Sequence, residues 1–349
     1  MATPLIWRRL DALGSYPSDI DRQALRPRNY GLIDLAIKGR GLLNQVNISM
    51  IENSWGAPAI KIPAMESMAG AASATSMTCS FLTNEGVAKY VTATILSGSY
   101  GFQISPNLVK QTGVNYSVAK DTMYKVSQTE QKLANLLESQ IYTIVNAAVA
   151  STSNSSYVGA GNLFPFVGNA LQVLQADQNF FFNYLDSIYQ ADDFDGMDFD
   201  VIGDANLAAI INRWGNQGGA NNTNTAFQFG GKDFSYSRAI TTSAATQSTG
   251  FALRKDSLGM YSLVSPQAKA ADTDGIISWD TYESPLLGIT LETMHKKACS
   301  DQSAATGFAL DTNALLEQWM FGYNVVILTP SLNTAETNNG IKKFDFLKV

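Results

Sequence analysis

The chain has 349 residues, of which 45% are hydrophobic and 15% charged, with a formal net charge of −6. That is enough apolar material to bury a core over one large or two moderate domains, and it excludes a disordered polypeptide. The acidity excludes a general nucleic-acid binder, while a charge content well below the usual quarter fits a surface largely covered by neighbours.

Two cysteines, Cys79 and Cys299, make no disulfide framework and read as buried thiols of a chain folded in a reducing cytoplasm. No apolar run approaches the roughly 20 residues of a membrane span. The opening MATPLIWRRLDALG has neither the apolar stretch nor the cleavage site of a secretory leader, so no membrane partner is expected.

Residues 1–50 read as an arm. Arg8, Arg9, Arg22, Arg26, Arg28, Lys38 and Arg40 are interspersed with Asp11, Asp19, Asp21 and Asp34, and Leu5, Ile6, Trp7 and Leu10 are too scattered to build a core. Such a segment lies across something else. From residue 55 the text WGAPAIKIPAMESMAGAASATSMTCSF predicts a strand at Ile60 and Ile62, a small-residue tip at Ala69–Ser76 and a return strand at Met77–Phe81. An exposed hairpin of this kind needs a partner to cover its edge. Tyr90–Leu96 and Gly101–Ile104 read as further strands.

The strongest periodicity lies at 118–150. Leu133, Leu136, Leu137, Ile141, Ile144, Val145 and Ala148 draw one apolar stripe at three- and four-residue spacing. Asp121 stands near the helix start, and a Ser/Asn run from Ser151 ends it. A second unit opens near Phe164, with helical text at Val167–Ala176. Phe199, Val201 and Ile202 form a central strand there, and Asp204 caps a helix at Leu207–Trp214. Short strands are expected at Phe227–Phe229, Phe234–Ile240, Phe251–Leu253 and Met260–Val264. Leu286–Met294 and Tyr323–Leu328 follow as strands, with a helix at Asn313–Phe321. Helices and strands mix without a repeating βαβ unit, so the fold class is α+β.

Chemistry-bearing patterns are few. His295 is the only histidine, and His295 with Cys299 would share a helix face, but a zinc site needs three or four ligands and no others stand nearby. The same scarcity leaves His295 to serve alone in any nucleophile–base pair. Asp192, Asp193, Asp195, Asp198, Asp200 and Asp204 form an acidic cluster that fails the order of an EF-hand loop. A solvated turn, a half-exposed strand and a helix cap account for the cluster better than a cation site or a pair of glycosidase carboxylates does. Gly215–Gly219 has no lysine where a phosphate loop needs one. The basic residues of the arm suit phosphate contacts and subunit contacts equally.

The order of these segments resembles the major capsid proteins of tailed bacteriophages, whose fold is named after phage Hong Kong ninety-seven. The likeness runs through GVNYSVAKDTMYK, DFDVIGDANLAAIINRW, FGGKDFSYSRAI, ALRKDSLGMYSLVSPQAK, SPLLGITLETMHKKACSD and EQWMFGYNVVILTP. It is one of order and texture over nearly the whole chain. The resemblance implies an N-terminal arm at 1–50, an extended loop at 51–100 and a peripheral domain with a spine helix at 101–164. An axial domain would follow at 165–280, and 281–349 would return to the peripheral domain and end in a tail.

The function so implied is structural. Copies would assemble into pentamers and hexamers, closing into an icosahedral shell around double-stranded DNA, without catalysis or cofactor. The chain would be made in the host cytoplasm and end in the virion. Its partners would be copies of itself, with scaffolding, portal and decoration proteins; no scaffold-like helix precedes the arm, which implies a separate scaffold or earlier trimming. Expected assembly contacts are Trp7, Arg8, Arg9 and Arg26 in the arm and Ile60, Lys61 and Ile62 in the loop. Lys61 is also the candidate donor should a Lys–Asn cross-link exist. Two other readings stay open: a tail-tube, fibre or decoration subunit, and a hydrolase using Asp192–Asp200.

Overall fold

In the computed structural model, residues 30–39, 45–53, 60–65, 88–104, 118–149, 163–191, 199–218, 234–255, 257–274, 277–299, 315–329 and 340–348 are described. The first part gives α1 (Gly31–Lys38), α2 (Gln45–Asn53), β1 (Ile60–Met65), β2 (Ala88–Ile104) and α3 (Val118–Ala147). The middle gives β3 (Phe166–Val167), β4 (Ala170–Val173), α4 (Gln178–Ala191), β5 (Phe199–Gly203), α5 (Ala205–Gly218) and β6 (Phe234–Tyr236). Then come β7 (Thr246–Arg254), β8 (Gly259–Leu263), α6 (Pro266–Ala270) and β9 (Thr273–Asp274). The last are β10 (Ile277–Glu283), β11 (Thr290–Cys299), β12 (Leu315–Leu328) and β13 (Ile341–Leu347). The fold is α+β, as the sequence predicts.

Two sheets organise the strands. The first runs β1-β2-β12-β11-β10-β9, with β8 also pairing β12; the second runs β3-β4-β13-β7-β5-β6. β12 is the rail of the first. One side pairs β2 over Glu317–Ile327, while the other carries β11 over Leu315–Gly322 and β8 over Asn324–Leu328. Its buried residues alternate (Glu317, Trp319, Phe321, Tyr323, Val325), so one face is turned into the core.

α3 lies along β2 on that inner face. Its 30 residues span about 45 Å, and Leu133, Leu137, Ile141 and Val145 are fully buried in the largest apolar cluster with Trp319, Phe321 and Tyr323. The approach is close at Gly98, where a Cβ would sit 2.6 Å from the Tyr323 ring and 2.8 Å from Leu136 Cδ2. A chain of hydrogen bonds marks the same place: Tyr323 donates to Gln140 Oε1 at 2.8 Å, and Gln140 Nε2 donates to the Ser97 carbonyl at 3.1 Å.

Two buried carboxylates on α3 hold distant segments. Glu138 accepts the backbone N–H of Leu32 at 3.1 Å and of Ile33 at 3.0 Å, meeting donors that the start of α1 cannot satisfy internally. Burial pushes its carboxyl up to about 7, against the pull of those N–H groups and the Ser237 hydroxyl. Glu130 accepts from the Ser284 hydroxyl at 2.6 Å and so fixes the turn between β10 and β11; burial raises its pKa too.

The second sheet carries its own core. Phe164, Phe181, Phe182, Phe344 and Phe346 interlock, with the Phe181–Phe344 and Phe164–Phe181 centroids 4.9 and 5.1 Å apart. Tyr189 of α4 ties this layer to the sheet by donating to the Ala252 and Gly340 carbonyls at 2.8 and 3.0 Å. α5 starts at the expected cap, Asp204, whose Oδ1 accepts the Leu207 N–H at 2.8 Å.

Several expectations need correction. Residues 31–38 are not part of a coreless arm: α1 buries Leu32, Ile33, Leu35 and Ala36 in the main cluster. Val167–Ala176 is a β3–β4 hairpin followed by a 3-10 turn, with Gly168 at φ +67° making the corner. Leu315–Phe321 is strand rather than helix, because pairing on both edges outweighs the helix propensity of its Leu, Glu, Gln and Met residues. Tyr90–Leu96 and Gly101–Ile104 are one strand, and the strand after Leu286 begins only at Thr290. The two sheets also interleave along the chain: β8 and β9 precede residue 281 and β10 straddles it, yet all three belong to the first sheet, while β13 joins the second. The return strand at Met77–Phe81 and the strand at Phe227–Phe229 lie outside the described residues.

Two substitutions check this packing. Gly98→Ala should cost about 1–3 kcal/mol in chemical denaturation by forcing the Tyr323 ring and Leu136 apart; an unchanged midpoint would contradict the close approach of α3. The raised pKa of Glu138 means that the unfolded chain releases its proton near 4.5 while the folded one keeps it to about 7, so stability should fall as pH rises between them. Glu138→Gln should flatten that slope in urea midpoints measured from pH 5 to 8, by up to ~3 kcal/mol over the window.

Candidate assembly surface

β1 pairs antiparallel with the first six residues of β2, Ile60 opposite Ala93 and Met65 opposite Ala88. Of the three loop residues predicted to reach a neighbour, Lys61 is exposed. Ile60 is only 2% exposed and packs with Ile51, Ala93, Leu263, Val326 and Leu328, so its side chain serves the chain's own core. Ile62 takes its place in the β1 ladder opposite Val91. Trp7, Arg8, Arg9 and Arg26 lie outside the described residues.

The acidic cluster is divided. Asp192, Asp193, Asp195 and Asp198 lie outside the described residues, and Asp200 is on β5. Asp204 is employed as a cap: besides Leu207, it accepts from the Thr242 hydroxyl and, at 3.4 Å, from the Thr249 N–H. Among the described residues no three His, Cys, Asp or Glu side chains gather to hold a metal ion.

His295 sits on β11, a strand and not a helix, opposite Trp319. Four residues along a strand are about 13 Å, too far for His295 and Cys299 to share one ion. The imidazole stacks on the Trp319 ring with centroids 4.1 Å apart, and its Nε2 lies 3.7 Å from Glu317 Oε2. Sheet packing thus occupies the lone histidine.

Among the described residues, two concavities stand out. One, of about 420 Å³, lies on the outer face of the first sheet against Gly101, Gln103, Met294, Lys296, Gln318 and Met320. The other, of about 610 Å³, lies between α1, α2, β8 and the β10–β11 turn, where Tyr261 donates to Glu52 at 2.5 Å and Lys269 stands 3.9 Å from the same carboxylate. Neither sets a nucleophile against a base.

The largest exposed apolar concentration escaped the sequence reading. Of ten large hydrophobics exposed among the described residues, five fall between positions 163 and 184: Leu163, Val167, Leu174, Phe180 and Tyr184. The signal was present in the run Phe180-Phe181-Phe182-Asn183-Tyr184. Successive helix residues are rotated by about 100°, so one buried face cannot take them all. Phe181 and Phe182 go in; Phe180 and Tyr184 are left out, with Tyr184 edge-on to Phe164 at 5.7 Å.

No family model matches the sequence, and no curated protein does. Among solved structures, the chain is similar to the capsid asymmetric unit of cyanophage A-1(L) at 12% identity, over 82% of this chain and 87% of that one, with a TM-score of 0.47. It is similar to the capsid of cyanophage P-SCSP1u at 11% identity, over 83% of each chain, with a TM-score of 0.44. A likeness to the capsid of a native GTA particle has 9% identity, 84% and 86% coverage and a TM-score of 0.44. Likenesses of this size carry no function with them; the chain's own geometry has to.

Proposed function

We propose that this chain is the structural subunit of a phage capsid, a major capsid protein that works by assembling with copies of itself. The observation that carries the reading is the order of the described elements. A two-stranded β1–β2 extension is followed by a 30-residue helix laid along a long-stranded sheet, then by a second sheet with its own helices. Strands β11 and β12 then return to the first sheet. That order supports the extended loop, spine helix, axial domain and returning peripheral strands that the family resemblance implies. In this reading α3 is the spine, the first sheet the peripheral domain and the second sheet with α4 and α5 the axial domain.

Surface chemistry supports it. Only 15% of residues are charged, and apolar side chains crowd the 163–184 surface, which suits a molecule with permanent neighbours. Copies would form pentamers and hexamers whose modest individual interfaces add up around closed symmetry. The net acidity suits an inner wall that encloses double-stranded DNA without gripping it. A helix as long as α3 favours the capsid over a tail-tube, fibre or decoration subunit.

Negative-stain electron microscopy with light scattering, on the full chain at low and high salt and with a scaffold protein co-expressed, tests the proposal. Rings, tubes or shells with five- and six-fold units are expected. A monomer under every one of these conditions would overturn it.

A further inference from the structure

Charge is divided unevenly along this chain. Residues 133–212 hold Glu138 and eight aspartates but no lysine or arginine. Residues 1–29, outside the described part, hold Arg8, Arg9, Arg22, Arg26 and Arg28 against three aspartates, and residues 1–10 have no acid at all. The acidic stretch contains the 163–184 surface, where Leu163, Val167, Leu174, Phe180 and Tyr184 stand exposed. Asp177 precedes Phe180 by three residues and Tyr184 by seven, so all three fall on one side of α4 and the turn that leads into it. Other exposed apolar side chains stand beside cations: Tyr100 lies under Lys132, and Met320 shares its concavity with Lys296. The 163–184 surface offers carboxylates instead.

We infer that residues 5–10 of the same chain dock on this surface, with Leu5, Ile6, Trp7 and Leu10 laid against Phe180 and Tyr184 and the Arg8–Arg9 pair facing Asp177. That run is apolar at four positions and cationic at the other two, the complement of an apolar face fringed by carboxylate. Exposed aromatic rings also seat guanidinium groups well. The chain is long enough to make the connection. Tyr30 bridges to Ser237 just after β6, at one edge of the second sheet, and the surface lies toward the other edge, around β3 and β4. Five strand spacings separate those edges, about 24 Å, whereas the roughly 20 residues from Leu10 to Tyr30 reach up to about 66 Å. A tether of that kind gives a local concentration on the order of 1 mM, which a second copy at micromolar concentration does not match. The inference stands apart from the capsid reading: it concerns the single subunit, and in a shell a neighbouring copy would take the segment's place.

Asn183→Cys in the full chain tests this. Position 183 is exposed between Phe180 and Tyr184, so the variant keeps both rings and places a thiol where the segment covers it. Its alkylation by a maleimide is read at that residue by peptide mass spectrometry, apart from Cys79 and Cys299. Adding Arg8→Glu and Arg9→Glu should raise the rate about fivefold through the lost charge contacts. Adding Asp177→Lys to that variant should bring the rate back down, which a general loosening of the fold would not do. The rate in unassembled protein should hold constant over about a hundredfold range of concentration, since a tethered contact does not dilute. Equal rates with and without the arginine reversals would overturn the inference, as would no recovery with Asp177→Lys. Protection that appears only at high concentration would overturn docking within the chain and give the surface to a second copy. None of these outcomes depends on whether shells form.

Discussion

The pair of hydrogen bonds that Glu138 accepts from the start of α1 is where the fold is held together. A buried carboxylate is costly, and this one is tolerated because it answers two backbone donors that would otherwise be stranded in an apolar layer. It joins residues more than a hundred positions apart and sets how deep α1 sits under α3. From there the consequences spread. Tyr30 donates to Asn135 and bridges to Ser237, which brings the end of β6 to the same helix. Eight residues further toward the start of α3, Glu130 repeats the device on the β10–β11 turn. α3 is thus clamped to both sheets by polar contacts embedded in apolar packing.

How much of this was legible varies with the length of each signal. α3 could be read to within a few residues because its stripe repeats over many turns. Asp204 and the helix after it were equally clear, since a cap and an amphipathic run coincide. What could not be read was anything decided by a distant partner. The Leu-Leu-Glu-Gln-Trp-Met stretch of β12 is good helix text, and only neighbours on both edges make it a strand. α1 is eight residues long, too short for periodicity to declare it, and its burial depends on Glu138. The loop contacts show the same limit: Ile60 and Lys61 look alike in an alternating pattern, yet one faces a private cluster and the other faces out.

Aromatic and small residues divide the labour between the two sheets. In the second, six buried phenylalanines fill the space between the helices and the strands, so that layer is thick and its surplus rings spill to the surface. In the first, Gly98 thins β2 until a helix can lie almost on its backbone. One sheet therefore gains depth and the other closeness.

The place of β13 in the second sheet has a temporal consequence. It lies between β4 and β7, yet it comes from residues 341–347, far downstream of every other strand in that sheet. Until those residues have left the ribosome, the sheet exists only as two fragments with raw inner edges, and its phenylalanine layer lacks Phe344 and Phe346. A nascent chain cannot complete this half of the molecule before residues 341–347 emerge, so translation itself sets when the second sheet can close.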